Sequence, residues 1–407
     1  MSNTFDRSIA ETSSEPMDNL SNSKPTLRVL FISHAYVVGV NQGKLDAIAQ
    51  IEGIEVGLLA PINWKALEWN RELPLERPYP KLHLYSAPVM FTGRVGAHLY
   101  APWVLWQVLQ DFKPDLIQVE EEVFSICAFE VAVLARMTGK PMVVFGWENQ
   151  LRELPIARWK ICQFVLNTAS AIIPGNQDGA NIMKKWNYNG LLEVMPQMGV
   201  DPQFFAPSLK SSTPNASNFR IGFLGRLAHS KGIDLIFTAV AGLRDRGIDS
   251  QIIIAGAGAE EVTLRKLAAD LHIADRIVWR GAVPHHQAPA ELSQFDVLVL
   301  PSRSTATWKE QFGHVLIEAM SMGIPVVGSD SGEIPNVIGR DELVFPEEDA
   351  TALTDILARL SHDERWRHEA GLYGMNRVHQ LYTHAQIAQR SIALWQTILD
   401  TDSKPIC

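Results

Sequence analysis

The sequence predicts an α/β protein of two Rossmann-like, doubly wound domains facing a central cleft. Three observations carry that expectation. The chain has 407 residues, too many for one compact core, so two domains are the starting assumption. Its apolar runs are short, rich in β-branched residues and not alternating, as in strands buried on both faces. Helical stretches separate these runs, and alternating β and α elements give parallel sheets with right-handed crossovers.

Taken in order, residues 1–26 are polar and acidic with no apolar run, so a disordered tail is expected and a signal peptide is not. LRVLFIS, IEVGLLA, KLHLYS, DLIQVE, MVVFGW and AIIPG read as strands of a first domain, residues 27–207. LDAIAQI from Leu45 and FEVAVLARMTG from Phe129 read as helices, the second closed by Gly139. Residues 208–218, SLKSSTPNASN, have no apolar period and read as a linker. FRIGFLG, QIIIAG, RIVWRG, DVLVLP and PVVGS then give the strands of a second domain, residues 219–380. In 381–407 the apolar helix IAQRSIALWQTIL can pack on either domain, and a return to the N-terminal one is included in the expectation.

Composition narrows the function. With 46% hydrophobic and 20% charged residues the chain is ordinary globular material. Cys127, Cys162 and Cys407 lie far apart, which argues for a reducing, cytoplasmic setting and against a zinc cluster or disulfide framework. A net charge of −9 gives no reason to expect nucleic acid. No apolar run reaches the roughly 20 residues of a spanning helix. The segments Arg158-Trp159-Lys160 and Lys184-Lys185-Trp186 form a candidate peripheral membrane contact, although ordinary amphipathic helices give the same pattern.

Two doubly wound domains bind ligands outside the carboxyl ends of their strands, and four motifs lie there. GRLAHSKG starts at Gly225 and offers Arg226 and Lys231 beside a helix start, a setting for a diphosphate. It is not a nucleotide-triphosphate loop, and a solvated βα turn is the alternative. AGAGAEE contains Gly256 in a GxG turn, without the third glycine of a dinucleotide fingerprint. KEQFGHVLIEAM places Glu310 before, and Glu318 inside, a helix opened by Phe312 and Gly313. Carboxylates grip vicinal hydroxyls well, because each oxygen accepts one O–H. Glu318 stands among Val315, Leu316, Ile317, Ala319 and Met320, where a lone carboxylate is costly, whereas a solvated helix face explains Glu310 easily. In SDSGEIPNVIG, Gly332 allows the backbone to approach an anion.

These motifs, in this order and spacing, resemble the retaining glycosyltransferases of GT-B fold, the glycosyl transferases group 1 type (family four), over roughly residues 27–400; VMPQMGVDPQFF from Val194 resembles that family's interdomain segment. The resemblance implies that Arg226 and Lys231 hold the donor diphosphate and that Glu318 takes the ribose. Glu310 would contact the transferred sugar, the amides at Phe312 and Gly313 would face sugar and phosphates, and Arg280 to Val283 would read the base. It also implies retention by front-face attack, with no obligatory metal and no cofactor. The donor would be a nucleotide-diphosphate sugar, with UDP as the commonest base, and the acceptor a hydroxyl of a glycan, a lipid-linked sugar or a small molecule.

The N-terminal half departs from the family pattern. A Gly-Gly pair is replaced by SHAYVVGVNQGK, with Gly39 and Gly43 apart, which puts Asn41 and Lys44 forward for the donor phosphate. An expected histidine is replaced by Gly146-Trp147-Glu148-Asn149, which gives Glu148 or Asn149 the acceptor-side role, with Glu148 a catalytic candidate. His34 and the run Glu120-Glu121-Glu122 follow strands that end on the same cleft. Two other readings stay open: a sugar-nucleotide 2-epimerase on the same fold, and a non-catalytic nucleotide-sugar-binding paralogue. Oligomeric state is not legible.

Overall fold

The computed structural model describes residues 26–66, 71–207 and 218–402. The tail up to residue 25 and the linker at 208–217 lie outside the described residues. The N-terminal strands are β1 (Leu27–Ile32), β2 (Ile54–Pro61), β3 (Asn63–Ala66), β4 (Arg71–Pro74), β5 (His83–Ala87), β6 (Leu116–Glu120), β7 (Met142–Gly146), β8 (Ala171–Pro174) and β9 (Leu191–Leu192). All but β3 and β4 form one parallel sheet in the order β5-β2-β1-β6-β7-β8-β9. The C-terminal strands are β10 (Phe219–Leu224), β11 (Ser250–Ala255), β12 (Ile277–Gly281), β13 (Val297–Leu300), β14 (Val326–Ser329) and β15 (Val344–Phe345). Their parallel order is β12-β11-β10-β13-β14-β15.

Both sheets are buried on two faces, as their unbroken apolar runs require. In the N-terminal domain one face carries Leu30, Ile32, Val119 and Val144, and the other Val29, Phe31, Val143 and Phe145. Each sheet is wound outward from its first strand. The strand order reverses at β1/β6 in one domain and at β10/β13 in the other, and such switch points open a crevice at the carboxyl ends. Ser33, His34 and Glu121 sit at the first switch; the loop from Gly225 and the segment from Pro301 sit at the second.

The last helix, His384–Asp402, returns to the N-terminal domain. Trp395 is fully buried there and its indole donates to Gln118 Oε1 at 2.9 Å. Arg390 pairs with Glu193 at 2.5 Å. The chain therefore crosses between domains twice, side by side: Val200 donates to the Tyr382 carbonyl at 2.9 Å, and His384 donates back to Val200 at 3.2 Å.

Elements absent from the sequence reading are the antiparallel hairpin β3–β4, and β9 and β15, two residues each. Of the aromatic and basic surface candidate, Trp159 is exposed, but Trp186 is only 5% exposed and its ring packs edge-on against Trp159. Trp186 is thus a core residue rather than part of a membrane-facing surface. No helix among the described residues is long and apolar enough to cross a membrane.

Candidate functional site

The C-terminal wall is built by close backbone contacts. A Cβ on Gly256 would lie 1.8 Å from the Gly225 carbonyl oxygen, and one on Gly332 would lie 1.9 Å from that of Glu310. Gly332 also has φ +56°, which disfavours any side chain there. These two positions join the loops after β10 and β11 and those after β13 and β14 in pairs, and a Cβ on Gly232 would lie 2.0 Å from the Pro301 carbonyl oxygen, which makes the pairs one unit.

Within that unit Lys231 Nζ lies 2.5 Å from Glu310 Oε2, and Ser302 Oγ donates to the same oxygen at 2.7 Å. The Lys231 ammonium also stands 4.8 Å from the Trp308 ring centroid. Helix Ile233–Asp245 begins directly after Lys231, capped by Gly232 at φ 64°. Arg226 is exposed on the same loop. Arg303, one residue past Ser302, is held by both Asp234 oxygens (3.1 and 2.9 Å) and by Glu348 at 2.6 Å, so it braces the site and does not face it.

The two acids of KEQFGHVLIEAM exchange the environments expected of them. Glu310 is the buried one, at 7% exposure, and its loop, not its sequence neighbours, encloses it. Glu318 lies on the half-buried side of helix His314–Ser321, 3.6 Å from His285, which stacks on Phe204. Gly313, at φ 81°, caps that helix, and Phe312 turns inward against Trp147, His314 and Tyr382. Val283 is partly exposed in the loop after β12. Ser302, Trp308 and His285 were missed in the sequence because nothing in their local pattern marks them.

The N-terminal wall holds a different arrangement. Glu120 and Lys44 do not face the cleft: each is 2% exposed, and they pair at 2.6 Å. Gln118 donates to Glu120 at 2.7 Å and the Tyr36 hydroxyl closes the cluster. Both residues are therefore withdrawn from the substrate-facing set; burial disfavours their charges, and only mutual pairing retains them. Burial lowers the Lys44 pKa, with the Glu120 charge opposing. Asn41 donates to the Ala35 carbonyl at 2.7 Å and so braces its own loop.

Glu121 turns the other way. Its Oε1 lies 2.6 Å from His34 Nδ1 and accepts from the His34 amide at 3.0 Å. Burial alone would raise its pKa, but the neighbouring His34 and His98 outweigh that and hold it well below the ordinary range. Glu122 takes a third role, accepting from the amides of Trp147 (2.8 Å) and Glu148 (3.3 Å) and thereby shaping the loop after β7. Glu148 itself is tied to Arg152 at 2.8 Å.

That loop joins the two walls. Asn149 donates to the carbonyls of Glu310 (3.1 Å) and Lys309 (3.3 Å), Gln150 to Thr305 (3.1 Å), and Gln311 back to Trp147 (3.2 Å). Lys309 pairs with Asp178, and the Gln177 amide donates to Glu333 at 2.8 Å. A pocket of about 400 Å³ opens along this seam between Asn149, Asp178, Lys185 and Lys309.

Residues 207–377 match the family described as Glycosyl transferases group 1. That stretch, less than half of the chain, is what the family resemblance rests on. A GDP-mannose-dependent alpha-(1-6)-phosphatidylinositol monomannoside mannosyltransferase from Mycolicibacterium smegmatis is 28% identical over 254 residues, 59% of this chain and 66% of that protein, just under two thirds of its length. A putative colanic acid biosynthesis glycosyltransferase, WcaL from Escherichia coli, is 27% identical over 66% of this chain and 67% of its own. Among solved structures, Anabaena Alr3699/HepE in complex with UDP superposes with TM-score 0.68 at 18% identity, covering 91% of this chain and 100% of that one. The fold is therefore GT-B, two Rossmann-like domains about a cleft.

Proposed function

We propose that this chain is a glycosyltransferase of the group 1 type that moves a sugar, with retention of anomeric configuration, from a nucleotide-diphosphate donor to a hydroxyl acceptor. The observation that carries the reading is the Lys231–Glu310 pair, held at 2.5 Å among loops that only glycine permits to approach. A diphosphate entering beside Lys231 and Arg226 competes for the ammonium. It thereby releases the Glu310 carboxylate to accept hydroxyls of the donor sugar. Glu318 lies where a ribose diol would complete its contacts, with Val283 near the base. On the other wall His34 and Glu148 are the acceptor-side groups, and Asn149 ties that wall to the donor loop.

In the proposed reaction the acceptor oxygen attacks the anomeric carbon from the face the diphosphate leaves. Its proton passes to the departing phosphate oxygen, so no enzyme nucleophile or cofactor is required. Lys231, Arg226 and helix amides stabilise the leaving charge, and the seam at Asn149 keeps water from the donor. Uridine and guanosine diphosphate sugars are the donors to test first, the former as the family's commonest, the latter because of the mannosyltransferase relative.

A thermal-shift panel of nucleotide sugars, followed by donor hydrolysis with the best binder, tests the reading. Stabilisation by one nucleotide sugar, lost in Glu318→Ala, is expected. No response to any of them would remove the donor assignment, and a product of inverted anomeric configuration would remove retention.

A further inference from the structure

We propose that His34, His98 and Glu121 form a binding site for one divalent transition-metal ion of the zinc class, on the N-terminal wall of the cleft. Each residue offers one ligand atom, and the three atoms lie within 4.8 Å of one another. Two imidazoles and a carboxylate make a ligand set that suits zinc and leaves a fourth position open. Magnesium and calcium are disfavoured because they demand oxygen ligands.

The decisive observation is what the cluster leaves unpaired. His98 is 0% exposed, yet its Nδ1 has no partner and its Nε2 has only a 3.4 Å approach to Glu121 Oε1, too poor for a hydrogen bond, while Glu121 Oε2 has no partner at all. Buried polar groups left in this state cost free energy that a ligand recovers. A sugar hydroxyl cannot reach a ring with no accessible surface, whereas a bare ion seated between the side chains can. The His34 side chain retains 19% exposure, so the open coordination position faces the cleft on its side.

The geometry needs little adjustment. His98 Nε2 lies 3.4 Å from Glu121 Oε1, and His34 Nδ1 lies 2.6 Å from it. Ligands on 2.0–2.1 Å bonds in a tetrahedron stand about 3.3 Å apart, so the His98–Glu121 pair is already at that spacing, the His34–Glu121 pair must open, and the two imidazoles start within 4.8 Å of each other. Trp64, from the β3 strand, packs 4.4 Å from the His34 ring and 5.0 Å from the His98 ring and fixes both orientations. The Ser33 hydroxyl, 3.4 Å from Glu121 Oε1, supports the carboxylate from behind. The site is separate from the donor loops, and it departs from the metal-free expectation of the sequence.

The test uses the full chain without an affinity tag, stripped with chelator and titrated with zinc by calorimetry, then loaded with cobalt(II) for visible spectroscopy. One zinc per chain and the intense ligand-field bands of low-coordinate cobalt are expected. His34→Ala, at the most accessible ligand, should weaken zinc binding by more than the roughly 10–100-fold of a second-shell loss, as should Glu121→Gln. Because His98→Ala leaves a cavity in the core, His34→Ala with an unchanged circular dichroism spectrum is the deciding variant. Absence of stoichiometric zinc uptake, or undiminished uptake by His34→Ala, would overturn the proposal. Nucleotide-sugar binding on the same samples reads the donor site separately, so either proposal can fail alone.

Discussion

In the C-terminal wall of the cleft the buried charges are matched, whereas in the N-terminal wall carboxylates crowd together and one keeps an unpaired oxygen. Lys231 meets Glu310, and Arg303 meets Asp234 and Glu348, on loops fixed by backbone contact at Gly256 and Gly332. Across the cleft, Glu120 is sealed with Lys44, Glu121 leaves one oxygen unpaired, and Glu122 is enclosed beside Glu148. A wall whose charges are already arranged suits a ligand of fixed chemistry, such as a diphosphate. A wall with unsatisfied buried groups is completed by whatever binds it.

The largest effect should come from breaking the matched side. Lys231→Ala would leave Glu310 buried with Ser302 as its remaining side-chain partner and would remove a charge from the leaving diphosphate. Turnover, followed by donor consumption, should fall by about two to four decades. Turnover within a few-fold of the parent would mean that the pairing does not serve catalysis. Next in size is Trp395→Ala, expected to cost about 3–5 kcal/mol in urea unfolding. It opens the N-terminal core and strips Gln118 Oε1 of its donor beside the Glu120 cluster. Donor affinity of the folded fraction should stay unchanged, since Trp395 is buried in the N-terminal core.

The same contrast explains what was legible in the sequence. Donor loops follow strands directly, and their glycines and cations lie close together in the chain, so their pattern is local. The fates of Glu310 and Glu318 were reversed because Lys231, which encloses Glu310, is 79 residues away. Three consecutive glutamates meet three environments because their partners, Lys44, His98 and the Trp147 amide, come from separate segments. The hairpin carrying Trp64 was missed because NWKA and RELP contain no apolar run, only a cross-strand pairing that a single segment cannot display.

Glu122 offers a pH test of the crowded wall. Burial, with help from the charges of Glu148 and Glu121, pushes its pKa up from 4.5 to about 7, against the pull of the Trp147 and Glu148 amides. The native state therefore keeps a proton through a range in which the unfolded chain has released it, so stability falls as pH rises through that window. At 1.36 kcal/mol per unit the loss is at most about 3 kcal/mol and is complete above the native pKa. Glu122→Gln should flatten the slope of unfolding free energy between about pH 5 and pH 8. Equal slopes in the two proteins would show that the carboxyl is not strained by its enclosure.

The smallest effect concerns the seam where the walls meet, and it separates two roles for one residue. Asn149 is 5% exposed and donates its amide to the Glu310 and Lys309 carbonyls. If it serves the seam, Asn149→Ala removes two neutral hydrogen bonds at about 0.5–1.5 kcal/mol net each. The donor loop is then held less firmly, and nucleotide-sugar affinity should drop roughly five- to tenfold, about 1 kcal/mol, even with no acceptor present. If it served the acceptor instead, donor affinity would not move and only the acceptor KM would rise. Gln311→Ala is the control, because its exposed amide donates across the same seam to Trp147. A weaker shift in the same direction from Gln311→Ala ties the effect to the contact between walls, since that side chain reaches no carbonyl of the donor loops.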